Sequence, residues 1–464
     1  MGQSPVITSR HHGRLAFVEV ANPPVNALGL SLRTQLHLEL QRASSAREVD
    51  AIVLTGAGRL FMSGADISEL DQPIEPPGLL DLEAQISRLP MPVIAAMHGP
   101  VLGGGLLLAL MCDYRVAHVG ATFGFPEVKL GLLPTFGGTQ IFPRLVGIER
   151  ASDLITSGRS ISAEQARACG IVDSVDANQP SAAGAAFAAT GPLPKRRLLE
   201  LPWPQDPGSR RAVDKMREVV SRASPLFLAP RATLDAIECG FNLPLGPALQ
   251  HEGELFEQLR NSGQSKALRR LFFAERRGAR GPWSALAGSK ASGPINMRDG
   301  RDGSLGSGED VAFFQPGLMA RSRAVEIVRA VNAPDETVAD AIARAKSAGL
   351  TSFVSSGRSS AVALLDAART EIVELERRYG AAAVGFSLRY YGIDTEMLTP
   401  VAGSITAGAD SFDDDGSIPD CLRTALRKTG DQLMRQRIVA DGDILDALCV
   451  AALGWPRYHA DIFV

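Results

Sequence analysis

The sequence predicts an α/β domain that gives way to a largely helical remainder, and three observations carry this. Over the first 190 residues, short β-prone runs alternate with stretches of helical spacing, the pattern of a layered α/β structure. Near residue 191 the Pro-rich stretch "GPLPKRRLLELPWPQDPG" interrupts that alternation, because proline removes the backbone donor that a helix interior or central strand needs. Beyond it, apolar residues recur at helical spacing only. In order, "RLAFVEV" (14–20), "AIVLTG" (51–56), "PVIAAM" (92–97) and "DYRVAH" (113–118) are the strands, with helices over 30–46 and 79–88 between them. Residues 209–242 and 245–275 follow as helices; Leu255, Phe256 and Leu259, then Leu268, Leu271 and Phe272, mark their apolar face. "RRGARGPWSALAGSKASGPINMRDGRDGSLGSGED" (276–310) has the Gly, Ser and charge content of a linker. Residues 311–464 read as mainly helical, with amphipathic candidates at 334–348 and 360–379. The expected division is a domain at 1–190, a helical linker at 191–280, a flexible linker at 281–310 and a helical domain at 311–464.

Composition narrows the function. The 464 residues are 45% hydrophobic with a formal net charge of −3, enough for sizeable cores and without global attraction to nucleic acid or an anionic membrane. No stretch approaches the ~20 apolar residues of a membrane span, and "MGQSPVITSRHHGRLAFVEV" lacks the apolar centre of a signal peptide. Five scattered cysteines without a CxxC pair imply a reducing compartment, read as cytoplasmic. The acidic "GADSFDDDGSIP" (408–419) lacks the spacing and closing Glu of a calcium loop and reads as solvated. "GAGRLF" (56–61) has Phe61 at the third glycine position of a dinucleotide fingerprint, and "GSGEDV" (306–311) has no strand ahead of it. Neither supports an NAD site.

"VLGGGLLLALMCDYRVA" (101–117) is different. Gly103, Gly104 and Gly105 permit close backbone approach to a ligand, and the buried helix that follows points its N-terminal amides there. That cradle suits negative charge, yet Leu106, Leu107 and Leu108 behind it carry no titratable group.

"FMSGADISEL" (61–70), "HGPVLGGGLLLALMCDYRVA" (98–117), "FGFPEVKLGLLPTFGGTQIFPRLVG" (123–147) and "DLITSGRSISAEQARACGIVD" (153–173) together resemble the crotonase, or enoyl-CoA hydratase/isomerase, superfamily over about residues 12–190. The resemblance implies a ββα spiral domain acting on an acyl-CoA thioester. It extends, most closely to the N-terminal half of multifunctional β-oxidation enzymes, through "HEGELFEQLRNSGQSKALRRLFFAERR" (251–277). Pieces at 313–349 and 441–463 are similar to a 3-hydroxyacyl-CoA dehydrogenase. There the gaps matter: only about thirty linker residues stand where a nucleotide-binding unit needs far more. Leu318 stands at the position matched to the family's catalytic His, and "SSGRSSAVAL" (355–364) replaces its Gly-Asn-rich motif. Residues 311–464 are therefore expected to be a remnant without NAD or dehydrogenase activity.

By motif position the resemblance assigns oxyanion donors to the amides of Ala65 and Gly104 and one acid-base group to Glu127. The family's other glutamate falls at Leu107. Gly64, Asp66, Ile67, Gly105, Leu107, Pro126 and Gly137 are the expected substrate-binding positions. An alkyl side chain cannot activate water, so one remaining carboxylate suits a proton shuttle better than hydration. The expected reaction is Δ3,Δ2-enoyl-CoA isomerisation, without metal or cofactor. A hydratase with a substitute acid, a CoA-ester hydrolase, or a weakly catalytic acyl-CoA-binding subunit are the alternatives. Asp66, Glu69 and Asp71 are candidate substitute acids; Asp113 and His98 read as structural, and Lys129 and Arg144 as solvated or as partners for the CoA phosphates. The chain is expected to act as a monomer or homo-oligomer.

Overall fold

A computed structural model describes residues 6–45, 49–278, 297–298, 305, 309–315, 319, 323–390, 393, 417–439, 441–453, 455–460 and 462–463. They fall into two compact units, residues 1–223 with 227–262, and residues 224–226 with 263–464.

The first unit is built on a sheet of β1 (Val6–His12), β2 (Leu15–Ala21), β3 (Ala51–Gly56), β4 (Val93–Met97), β6 (Tyr114–His118) and β9 (Ser174–Asp176), in that order. β1 is an antiparallel edge and the remaining pairings are parallel. β3 and β4 are buried at every residue, as parallel strands covered on both faces must be, which is why they read as unbroken apolar runs. Crossovers between parallel strands supply α1 (Leu30–Ser45) and α2 (Leu79–Arg88). A second small sheet joins β5 (Pro100–Leu102), β7 (Thr122–Gly124) and β8 (Ile161–Ser162).

Between β5 and β6 runs α3 (Gly104–Met111), buried from Gly105 onward, a helix apolar on all sides and so suited only to a core. Its approach to the loop after β3 is so close that a Cβ at Gly105 would lie 2.3 Å from the Met62 carbonyl oxygen. α4 (Gly138–Val146), α5 (Ile148–Ser157), α6 (Ala163–Ala168) and α7 (Pro180–Ala188) complete the α/β part.

α8 (Pro207–Ala223), α9 (Leu228–Cys239) and α10 (Leu245–Asn261) belong to this same unit, so its boundary lies after Ser262 rather than at residue 191. The reason is a shared core: Val128, Leu132 and Leu133 pack with Ala229 and Ala236 of α9 and with Phe256 and Leu259 of α10.

The second unit begins with α11 (Gly263–Gly278). It contains more than helices. β10 (Met297–Arg298), β11 (Val311–Phe314), β12 (Ala324–Arg329) and β13 (Thr351–Ser356) form a sheet in that order, with α12 (Asp335–Ser347) crossing between the parallel β12 and β13. α13 (Ser360–Tyr379), α14 (Ala381–Tyr390), α15 (Ser417–Arg435) and α16 (Gly442–Leu453) follow. The stretch 355–364 makes the end of β13 and the start of α13, where the buried Glu326 carboxylate accepts from the amides of Ser360 (2.8 Å) and Ala361 (3.2 Å) and from the hydroxyls of Ser355 and Ser359. A negative charge at a helix N-terminus with every lone pair occupied is a structural cap. Leu318, most of the 281–310 linker and most of the acidic loop at 408–419 lie outside the described residues.

Candidate active site

Glu127 stands in a short 3-10 helix, Pro126–Leu130, directly after β7. Pro126 suits the first helical position, since its missing N–H has no partner to lose there. The carboxyl group turns inward against the glycines ahead of α3: its Oε1 lies 2.7 Å from where a Cβ on Gly103 would sit. Its Oε2 is sealed from solvent and has no hydrogen-bond partner among the described residues. Burial without a compensating charge disfavours the ionised form and pushes the Glu127 carboxyl up to about 8.

A raised acid costs stability when it ionises. Between the ordinary value of 4.5 and the folded value of about 8, the folded protein holds a proton that the unfolded chain has released, so stability falls as pH rises across that window. Glu127→Gln removes this cost and is expected to raise the unfolding free energy by about 3 kcal/mol at pH 7. The gain shrinks to almost nothing at pH 4.5, as denaturant midpoints of both proteins at the two pH values will register.

The two expected oxyanion donors come together. A Cβ on Gly104 would be 3.4 Å from the Ala65 nitrogen, and one on Gly64, at φ +110°, would be 3.5 Å from the Gly104 nitrogen. Among the described residues neither amide donates to a protein acceptor. Two N–H groups without a protein acceptor thus lie close together at the head of a buried helix, a place that favours negative charge. Leu107, one turn into α3, is 1% exposed and part of the core.

The remaining expected positions serve the scaffold. Asp66 accepts from the amide (2.9 Å) and hydroxyl (2.7 Å) of Ser68, capping its own turn. Ile67 packs beside Leu70 and Leu132. Glu69 caps α1 through the Leu30 amide at 2.8 Å and pairs with Arg33 at 3.3 Å. Two of the three candidate substitute acids are thus occupied as helix caps. Asp113 accepts from Val93 and Arg196 amides at 2.8 Å each and from Lys195 at 2.7 Å, a buried strut. His98 Nε2 lies 3.1 Å from the Gly58 carbonyl. Arg144 is half-buried, stacks on Trp203 at 4.8 Å and donates to the Gln140 and Leu201 carbonyls. Lys129 is exposed.

Gly137 (φ +93°) donates its amide at 2.7 Å to Glu252, whose other oxygen accepts from the Thr139 amide (2.8 Å) and hydroxyl (2.6 Å). Glu252 is fully buried on α10 and escaped the sequence reading. Its signal was faint: an acid four residues from both Ala248 and Phe256, on the buried face of its helix. Phe136, just before Gly137, has φ +56°, a conformation costly for a bulky residue, on the order of 1–3 kcal/mol, that persists only where surroundings impose it.

Residues 10–185 match the family model described as enoyl-CoA hydratase/isomerase. The peroxisomal bifunctional enzyme of Cavia porcellus is 37% identical over 315 residues, covering 66% of this chain and 43% of the relative. That of Danio rerio is 40% identical over 279 residues, covering 60% and 38%. The fatty acid oxidation complex subunit alpha of Aliivibrio fischeri is 34% identical over 272 residues, covering 55% and 40%. The chain thus spans about two-fifths of the length of these relatives. The first two names overturn the cytoplasmic expectation. Unpaired thiols distinguish reducing from oxidising surroundings, and the five free cysteines carry no information that separates the cytoplasm from a peroxisome.

Proposed function

Residues 10–185 belong to the enoyl-CoA hydratase/isomerase, or crotonase, family, and from this premise we propose that the chain is a Δ3,Δ2-enoyl-CoA isomerase working with a single carboxylate. The observation that carries the reading is the pairing of the Glu127 carboxyl, its Oε2 sealed from solvent and its Oε1 beside Gly103, with a buried alkyl side chain at Leu107. With a 3-enoyl thioester in the cradle, the Glu127 carboxylate takes a proton from C2. Electrons move into the C1–C2 linkage and onto the thioester oxygen, which the Ala65 and Gly104 amides receive as an oxyanion. Each such donor contributes ~3 kcal/mol to the barrier reduction. The carboxylic acid then returns its proton to C4, the double bond settles between C2 and C3, and Glu127 is again a carboxylate. Nothing is consumed, so no cofactor is required. A dry wall favours return of the proton over capture of the dienolate by water.

The test is direct. Purified protein given a 3-enoyl-CoA is expected to generate conjugated 2-enoyl thioester absorbance, while a 2-enoyl-CoA supplied alone is hydrated slowly or not at all. Rapid hydration of the 2-enoyl substrate defeats the single-carboxylate reading. Leu107→Glu supplies the second acid-base group and is expected to raise hydration by ~10²-fold, the typical contribution of one positioned acid or base. The same reading gives the chain no hydride transfer: fluorescence titration is expected to detect no NAD(H) binding at micromolar concentrations.

A further inference from the structure

We propose that Asn22 and Asn26, in the loop between β2 and α1, are positioning residues that aim the Ala65 amide at the thioester oxygen; this rests on the isomerase reading above. The two donors of the proposed cradle are held in different ways. Gly104 opens α3, and the carbonyl of its peptide, that of Gly103, accepts from the Leu107 amide at 2.9 Å as part of the helix. Ala65 lies instead in a loop, after Gly64 at φ +110° and ahead of the short turn Ile67–Glu69. Its peptide is fixed from elsewhere: the Gly64 carbonyl accepts from the Leu28 amide at 2.8 Å. In a planar trans peptide the C=O and N–H point in opposite directions, so a bond that fixes one sets the direction of the other.

The Leu28 N–H belongs to a peptide whose carbonyl, that of Ala27, accepts from the Asn22 side-chain amide at 2.9 Å. A continuous chain of hydrogen bonds therefore runs from Asn22 Nδ2 through the 27–28 and 64–65 peptides to the Ala65 N–H. Bonds linked in this way polarise one another, each strengthening the next by on the order of 10–30%, so the chain both aims the last donor and makes it a better one. Asn26 clamps the two loops that the chain crosses. Its Nδ2 lies 3.0 Å from each of the Ala57, Leu60 and Phe61 carbonyls, on the segment that leads from β3 to Ala65, and its Oδ1 accepts from the Asn22 amide at 2.8 Å. The Ser63 amide closes the same contact by donating to the Val25 carbonyl at 3.1 Å. Asn26 is 3% exposed and stands at φ +49°, a left-handed conformation that Asn tolerates better than most L residues.

Infrared difference spectra of bound butanoyl-CoA, a saturated ester that cannot isomerise, isotope-labelled at the thioester carbonyl, read the donors without turnover. Donors aimed at the oxygen polarise the C=O bond, so binding to the unmodified protein is expected to lower its stretching frequency. Asn26→Gly keeps the left-handed backbone and removes only the side chain. It is expected to lose about half of that lowering and ~10²-fold in isomerase kcat, the scale of losing one oxyanion donor, with KM changed less than ~threefold. Asn22→Ala, at a half-buried position, cuts the chain at its head and is expected to lose less of the lowering and ~tenfold in kcat; it decides the matter on its own where Asn26→Gly does not fold. A fall in kcat with the carbonyl frequency of the bound ester unmoved, as a merely structural role gives, overturns the proposal. Failure of the unmodified protein to bind the ester, or binding without a lowered frequency, overturns the isomerase reading itself; a lowered frequency that the variants retain overturns only the part given to Asn22 and Asn26.

Discussion

Glu127→Gln is expected to lower isomerase kcat by ~10³-fold or more while changing KM little, the upper part of the range for a positioned general base. Glutamine keeps the shape and leaves the Ala65 and Gly104 amides in place, so substrate binding and the oxyanion cradle survive. Proton carriage does not. Because burial lifts the Glu127 carboxyl to about 8, kcat/KM of the unmodified enzyme is expected to climb with pH and level off above that value, as the base deprotonates. The variant's residual rate is expected to show no such inflection. A raised value suits the proposed shuttle, in which the carboxyl group that accepts from C2 surrenders the proton to C4, since a group matched to near-neutral pH does both. Conjugated-thioester absorbance from pH 6 to 9.5 follows both proteins, and a residual rate within tenfold of the original removes Glu127 from the chemistry.

How much of this was legible in the sequence depended on the range of the interactions. The segments of the proposed cradle were legible because they are local: Gly64 and Ala65 follow a strand-to-loop turn, Gly103 and Gly104 head a helix, and each segment carries its own backbone signature. β3 and β4 were legible as apolar runs because both faces are covered. β1 was not, since only Ile7 of its seven residues is buried, and an edge strand facing solvent has no hydrophobic alternation to show. β5 and β7, three residues each, are too short for any period. The prolines near 191 marked a real break in the α/β pattern, but the unit continued past it because α9 and α10 cover Val128, Leu132 and Leu133. Glu252 was least accessible: its partner Gly137 lies 115 residues earlier. A buried carboxylate whose purpose is to hold a distant main chain looks, in sequence, like any acid on a helix.

Gly103→Ala is expected to lower kcat by ~10²-fold, the scale of a 1 Å misplacement of a catalytic group, without touching a titratable residue. The added methyl would meet Glu127 Oε1 at 2.7 Å and its carboxyl carbon at 3.4 Å. The backbone has little room to yield: the Gly103 amide donates to the Gly124 carbonyl at 2.9 Å, and its own carbonyl accepts from Leu107 at 2.9 Å. Its φ of +51° with ψ −127° is also a conformation that an L side chain rarely adopts, so some stability is lost as well. What gives way is the carboxylate, because its Oε2 has no hydrogen bond to hold it. A double-mutant cycle separates displacement of Glu127 from general damage. If Gly103→Ala acts by moving that carboxyl group, it costs ~10²-fold in the unmodified enzyme and almost nothing in a Glu127→Gln background, where no base remains to be displaced. Additive losses in the double variant place the damage in the cradle rather than in the carboxylate, and the close approach of Glu127 to Gly103 then has no part in catalysis.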